Sequence, residues 1–125
     1  MKVVLIVFLS FFVLACTPNR ELLISKAEQG QPEDYCADKS YRTCTNSGTY
    51  RECLSELRPF VPPCSRKSFP RDKSYYSREE FMDYHRDFSL CLLIMHITDK
   101  LEKGEFDGNP MCEERGFYEI REKEQ

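Results

Sequence analysis

Six cysteines, Cys36, Cys44, Cys53, Cys64, Cys91 and Cys112, are spread along this 125-residue chain with 7, 8, 10, 26 and 20 residues between neighbours. None of these gaps is the close C-x2-C spacing that zinc sites and thioredoxin-like redox motifs use, so metal and redox readings fall away. In an exported chain the same spacing predicts three structural disulfides, with all fifteen connectivities open. Cross-links also answer a need of size. Once the N-terminal leader is set aside, about a hundred residues remain, which is small for a self-sufficient core.

Residues 1–15, MKVVLIVFLSFFVLA, carry the marks of an export signal. Lys2 supplies the positive start, and Val3–Leu14 is an apolar run broken only by Ser10. Twelve residues are too few to span a bilayer comfortably. No later stretch approaches that length, since the longest other apolar run is Leu90–Met95.

A seventh cysteine, Cys16, follows the leader directly. Val13-Leu14-Ala15-Cys16 resembles the lipobox of bacterial lipoproteins, and the resemblance covers residues 1–16 only. It implies cleavage after Ala15, lipidation of Cys16 and attachment to a membrane, since several acyl chains on one residue hold firmly where a single chain is marginal. Thr17, rather than Asp, after the Cys implies the outer membrane in enteric-type bacteria. The rival reading is an ordinary secretory signal, because Val13 and Ala15 also satisfy the small-residue cleavage rule. Cysteine parity favours the lipoprotein. Ordinary cleavage leaves seven cysteines and one odd thiol, whereas lipidation leaves six that can all pair.

The helical signals are local. Residues 16–34 read as lipid anchor and tether, with a short helix Arg20–Gln29 capped by Asn19 and ended by Gly30; residues 35–125 read as the folded domain. A second, weakly patterned helix is expected over Pro32–Arg42, followed by a turn at Asn46-Ser47-Gly48. Thr49-Tyr50-Arg51-Glu52 forms a capping box, and Tyr50, Cys53, Leu54 and Leu57 then recur at helical spacing. Residues 59–73, with four prolines, read as a stiff loop without a regular element. A second capping box, Ser77-Arg78-Glu79-Glu80, opens one long helix of about Arg78–Lys103, with Tyr76 and Phe81 placed as a hydrophobic staple and Gly104 as the stop. Its expected apolar ridge is Phe81, Tyr84, Phe88, Cys91 and Met95, and the all-round apolar stretch Leu90–Ile97 should be enclosed by other segments. Beyond it come a turn at Asp107–Pro110, a short helix with Cys112 and a strand or helical turn at Phe117–Ile120. The fold class is therefore mainly α, a disulfide-stabilised domain built around one long helix.

Little in the sequence points to chemistry. There is no G-x-S-x-G, H-E-x-x-H, P-loop or G-x-G-x-x-G. His85 and His96 lie eleven residues apart on the long helix, about 16 Å along its axis. They cannot share a metal, and they read as a surface histidine and a half-buried, hydrogen-bonded one. Glu79 and Asp83 read as a solvated face. The chain therefore reads as a non-enzyme with no cofactor and no metal.

The best contact surface is the loop over 66–76, through Arg66, Lys67, Phe69, Arg71, Lys73 and Tyr75, because aromatics and Arg are the types that carry interface energy. A formal charge of −3 and an export signal both argue against nucleic acid as partner. The expectation is a lipid-anchored envelope protein on the periplasmic side that binds another envelope protein, as inhibitors, immunity proteins or assembly accessories do. The alternative is a soluble secreted eukaryotic effector of the venom or salivary type.

Overall fold

Local capping chemistry sets where the helices begin and end. Residues 19–106 are described by the structure, a computed structural model. They form α1 (Arg20–Ala37), α2 (Lys39–Thr45), α3 (Tyr50–Leu57), a 3-10 turn (Arg58–Phe60), α4 (Val61–Ser68) and α5 (Arg78–Glu102). There is no strand among the described residues, so the mainly α class and the single long helix hold. The turn, short helix and strand expected beyond residue 106, and the leader before residue 19, lie outside the described residues.

Both capping boxes form. Thr49 Oγ1 accepts from the Glu52 amide at 3.2 Å, and the Glu52 carboxylate accepts from the Thr49 amide at 2.7 Å. Ser77 and Glu80 exchange the same pair of bonds at 3.1 and 3.3 Å. Gly48 sits against the first box with φ +67°, which favours glycine, and a Cβ there would push the Glu52 carboxylate out of its cap. α2 and α5 close alike. Asn46 and Gly104 take left-handed φ values of 51° and 70°. The following amides, of Ser47 and Glu105, reach back to the carbonyls of Arg42 and Lys100 at 2.9 Å each, the Schellman pattern that satisfies terminal carbonyls.

Three expectations are corrected. First, Gly30 does not stop α1, which runs through it and through Pro32, expected to open a second helix, to Ala37. An interior proline costs a helix about 3 kcal/mol. Here Ile24, Ala27, Pro32 and Cys36 are all buried against the body, and the Cys36–Cys53 disulfide fixes the C-terminal end of α1 to α3. Tertiary docking outweighs the local stop signal. The span 20–34 is therefore part of the folded body. The helix expected over Pro32–Arg42 is likewise two helices meeting at Asp38, whose carboxylate accepts from the Ser40 amide at 2.8 Å and starts α2.

Second, the proline-rich stretch is helical. Pro59 opens the 3-10 turn, and Pro62 lies in the first turn of α4, where a missing N–H costs nothing because those amides have no helical acceptor. The prolines punctuate successive helices instead of preventing them.

Third, the buried stripe of α5 is Phe88, Leu92, Leu93, His96, Ile97 and Lys100. Phe81, Tyr84 and Cys91 are half-buried, and Met95 faces outward at 39% exposure. The stretch Leu90–Ile97 is thus not enclosed among the described residues. Tyr76 is buried as expected of a staple residue, and its ring meets Tyr84 edge-on at 5.0 Å.

α5 touches every other helix, and Cys64–Cys91 ties α4 to it. Cys44 is also disulfide-bonded, to a partner outside the described residues. Closing loops of 17 and 27 residues is worth about 3 kcal/mol each in the chain-entropy account.

Candidate functional site

The residues expected to form one contact loop are divided by the fold. Arg66 and Lys67 are exposed on the last turn of α4. Phe69 is fully buried between Phe81 and Phe88, with ring centroids 6.2 and 5.4 Å away, so it is a core residue and leaves the contact set. Arg71, Lys73 and Tyr75 are exposed on the connection to α5. That connection is fixed at the start of α1, where the Arg20 guanidinium donates to the carbonyls of Arg71 and Lys73 at 2.7 and 2.6 Å. Lys73 pairs with Glu80, and the Tyr76 hydroxyl donates to the Pro70 carbonyl.

A groove of about 330 Å³ runs between α4 and α5, lined by Lys67, Ser68, Asp87, Leu90, Cys91, Ile94 and Met95. The Cys64–Cys91 disulfide crosses beneath it, so its two walls are covalently joined.

The densest polar chemistry lies at the other end of α5. His96 is fully buried, more so than its sequence reading, and both ring nitrogens are occupied. Nδ1 lies 2.7 Å from the Tyr41 hydroxyl and Nε2 lies 2.7 Å from Glu56 Oε2. An ionised carboxylate only accepts, so Nε2 carries the proton and Nδ1 accepts from Tyr41. Ser47 Oγ donates to the same Glu56 oxygen at 2.9 Å, and Thr45 Oγ1 lies 2.6 Å from Ser47 Oγ. Lys100 Nζ, 4% exposed at its side chain, donates to Glu56 Oε1 at 2.8 Å, to the Asn46 carbonyl at 3.1 Å and to Glu105 at 3.1 Å. Asn46 Nδ2 returns a bond to the Glu105 carbonyl at 3.1 Å. The C-terminal ends of α2 and α5, each a partial negative charge, thus converge on one buried cation.

Protonation follows from this geometry. Burial disfavours charge on His96 and pushes its pKa below the usual imidazole value, more than the neighbouring Glu56 can restore. Burial alone would raise the Glu56 carboxyl, but hydrogen bonds from Lys100, His96 and Ser47 outweigh it and hold the group below the usual range. For Lys100, burial opposes the charge, and the bonds to Glu56 and Glu105 lift the pKa above the ordinary lysine value. Burial likewise lifts the Tyr41 phenol well above its usual value, so it stays a donor.

Ser47, His96 and Glu56 superficially suggest a nucleophile, base and acid. In a working triad the hydroxyl donates to one imidazole nitrogen and the acid holds the other. Here hydroxyl and carboxylate gather on the same side of the ring, Ser47 donates to the acid, and Ser47 is only 2% exposed. The arrangement holds α2, α3 and α5 together. Among the described residues no group of three or more His, Cys, Asp or Glu is placed to hold a metal ion. No described helix is long and apolar enough to cross a membrane.

Sequence reasoning found His96 but missed Glu56 and Lys100. The available signal was positional: Lys100 follows His96 by one helical turn on the buried stripe, and Glu56 lies between buried Cys53 and Leu57. Comparison with protein families, characterised proteins and solved structures finds no match to this chain.

Proposed function

We propose that this chain is a small lipid-anchored cell-envelope protein that acts by binding another protein of the envelope, as an inhibitor, an immunity-type protein or an assembly accessory, without catalysis or cofactor. The observation that carries the reading is the cysteine account. Four of the seven cysteines pair as Cys36–Cys53 and Cys64–Cys91, and Cys44 takes a partner outside residues 19–106. One cysteine of Cys16 and Cys112 is then left over. A lipid on Cys16, after Val13-Leu14-Ala15, gives that remainder a chemical use and leaves Cys112 for Cys44.

Binding is favoured over catalysis by two features of the fold. The polar cluster nearest to a catalytic constellation is sealed and bonded internally. The α4–α5 groove, lined by Lys67, Ser68 and Asp87 as well as Leu90, Ile94 and Met95, is instead a mixed polar and apolar surface on cross-linked walls. A surface held in place before binding lowers the ordering cost of association, and steric occlusion is the mechanism such a surface supplies.

The test is an intact mass and a non-reducing peptide map of the exported protein. The expected result is a chain beginning at Cys16 with added acyl mass, and a peptide linking Cys44 to Cys112. An unmodified Cys16, or a Cys16–Cys44 linkage, overturns the lipid anchor.

A further inference from the structure

The lipid anchor has a geometric consequence. Cys16 precedes Asn19, the cap of α1, by three residues, and fully extended chain covers about 3.6 Å per residue. The start of α1 can therefore stand no more than about 11 Å from the anchored residue. Arg20 holds the connection between α4 and α5 through the carbonyls of Arg71 and Lys73, and Lys73 pairs with Glu80 in the first turn of α5. The start of α1, this connection and the start of α5 are thus one end of the domain.

Exposed apolar side chains gather at that end. Among the described residues five large hydrophobics are exposed. Three of them, Leu22 at 49%, Tyr75 at 59% and Met82 at 59%, lie in the first turn of α1, in the first two turns of α5 or in the connection that leads into α5. Three pairs of charges there are matched, Arg20 with Glu21, Arg71 with Glu28 and Lys73 with Glu80, and the exposed Asp72, Arg78 and Glu79 add no positive excess. Such a surface is not drawn by anionic lipid. It suits a neutral phospholipid interface, where an amphipathic ring sits at headgroup level.

We propose that this end of the domain rests on the bilayer that holds Cys16, with Tyr75 seated among the headgroups and Leu22 and Met82 beside it. The proposal rests on the lipid-anchor reading. It also divides the contact residues expected from sequence: Arg71, Lys73 and Tyr75 face lipid, while Arg66 and Lys67, beside the α4–α5 groove, face the protein partner.

The chain has no Trp, so single-Trp variants of the full exported protein report position directly. Tyr75→Trp, Met82→Trp and, at the opposite end, Tyr50→Trp are each reconstituted in vesicles of phosphatidylcholine with brominated acyl chains, after intact mass has established acylation. The expected result is a blue-shifted emission and several-fold stronger quenching for Tyr75→Trp and Met82→Trp than for Tyr50→Trp, unchanged by high salt. Acylated protein in which all three variants are quenched alike overturns the membrane orientation and leaves the anchor standing. Quenching at the first two positions that disappears at high salt overturns the neutral-interface account. Protein without acyl mass overturns anchor and orientation together.

Discussion

At the end of the domain where α1 and α5 begin, acids and bases meet in water. Lys73 and Glu80 are 47% and 35% exposed, and Arg71 lies 3.7 Å from Glu28. Where α5 finishes, one carboxylate, Glu56, takes Lys100, His96 and Ser47 in a region closed to solvent on the His96 and Lys100 side. The residue types are the same, and the difference is what surrounds them. An exposed pair exchanges water for a partner at little net gain. A buried set has already lost its water, so each member depends on the others being present. The first arrangement tolerates change. The second fixes three helices relative to one another.

The sharpest way to break this comparison is to remove Glu56. Glu56→Ala leaves Lys100 with a buried charge supported only by Asn46 and Glu105, and takes the acceptor from the His96 Nε2–H. The expected loss is about 3 kcal/mol of unfolding free energy, read by chemical denaturation with disulfides intact. Glu56→Gln keeps an acceptor but not the charge and should lose less. Equal losses for the two would show that the carboxylate charge alone, and not the shape and acceptor that Gln retains, holds this end together.

That network also marks how far the sequence could be read. The capping boxes at Thr49 and Ser77, and the stops at Asn46 and Gly104, depend on residues within five positions of each other, and each formed where local chemistry placed it. The prolines at 59 and 62 follow equally local rules, but those rules allow either a loop or the first turn of a helix, and the packing of α4 on α5 decides. Gly30 as a stop and Pro32 as a fresh start are local signals overruled by the burial of α1 at Ile24, Ala27 and Cys36. At the candidate site, His96 stood out as one of two histidines, whereas Glu56 and Lys100 resembled any surface acid and base. Only the meeting of positions forty residues apart makes them a pair. Phe69 failed in the opposite sense, because an aromatic beside cations reads as a contact residue until the core claims it.

The second prediction concerns pH. In the folded state the His96 pKa lies below its usual value of 6.5 because of burial, so between that value and the lower folded one the unfolded chain binds more protons than the native chain. Stability contributed by neutral His96 is present above about pH 6.5 and is lost as pH falls below it. The Glu56 carboxyl, also depressed, adds a loss in the same direction at lower pH. The melting temperature should decline from pH 7.5 to 5.5, and imidazole resonances should show His96 neutral, with its proton on Nε2, below pH 6.5. A His96 ring that protonates at or above 6.5 in the native protein would remove this account of the network.

The smallest effect is expected at the other end. Lys73→Ala removes the partner of Glu80, whose carboxyl is held down to about 2, first by the Lys73 hydrogen bond and then by the Ser77 amide. Both side chains reach solvent, so water replaces the lost contact and screening already weakens it. Glu80 also keeps its capping role through Ser77, and the Lys73 carbonyl that Arg20 holds belongs to the backbone and survives the substitution. The expected outcome is a melting temperature indistinguishable from that of the parent protein. A drop comparable to that of Glu56→Ala would mean that Lys73 supports the α1–α5 junction itself, and the contrast between a permissive end and a fixed one would no longer hold.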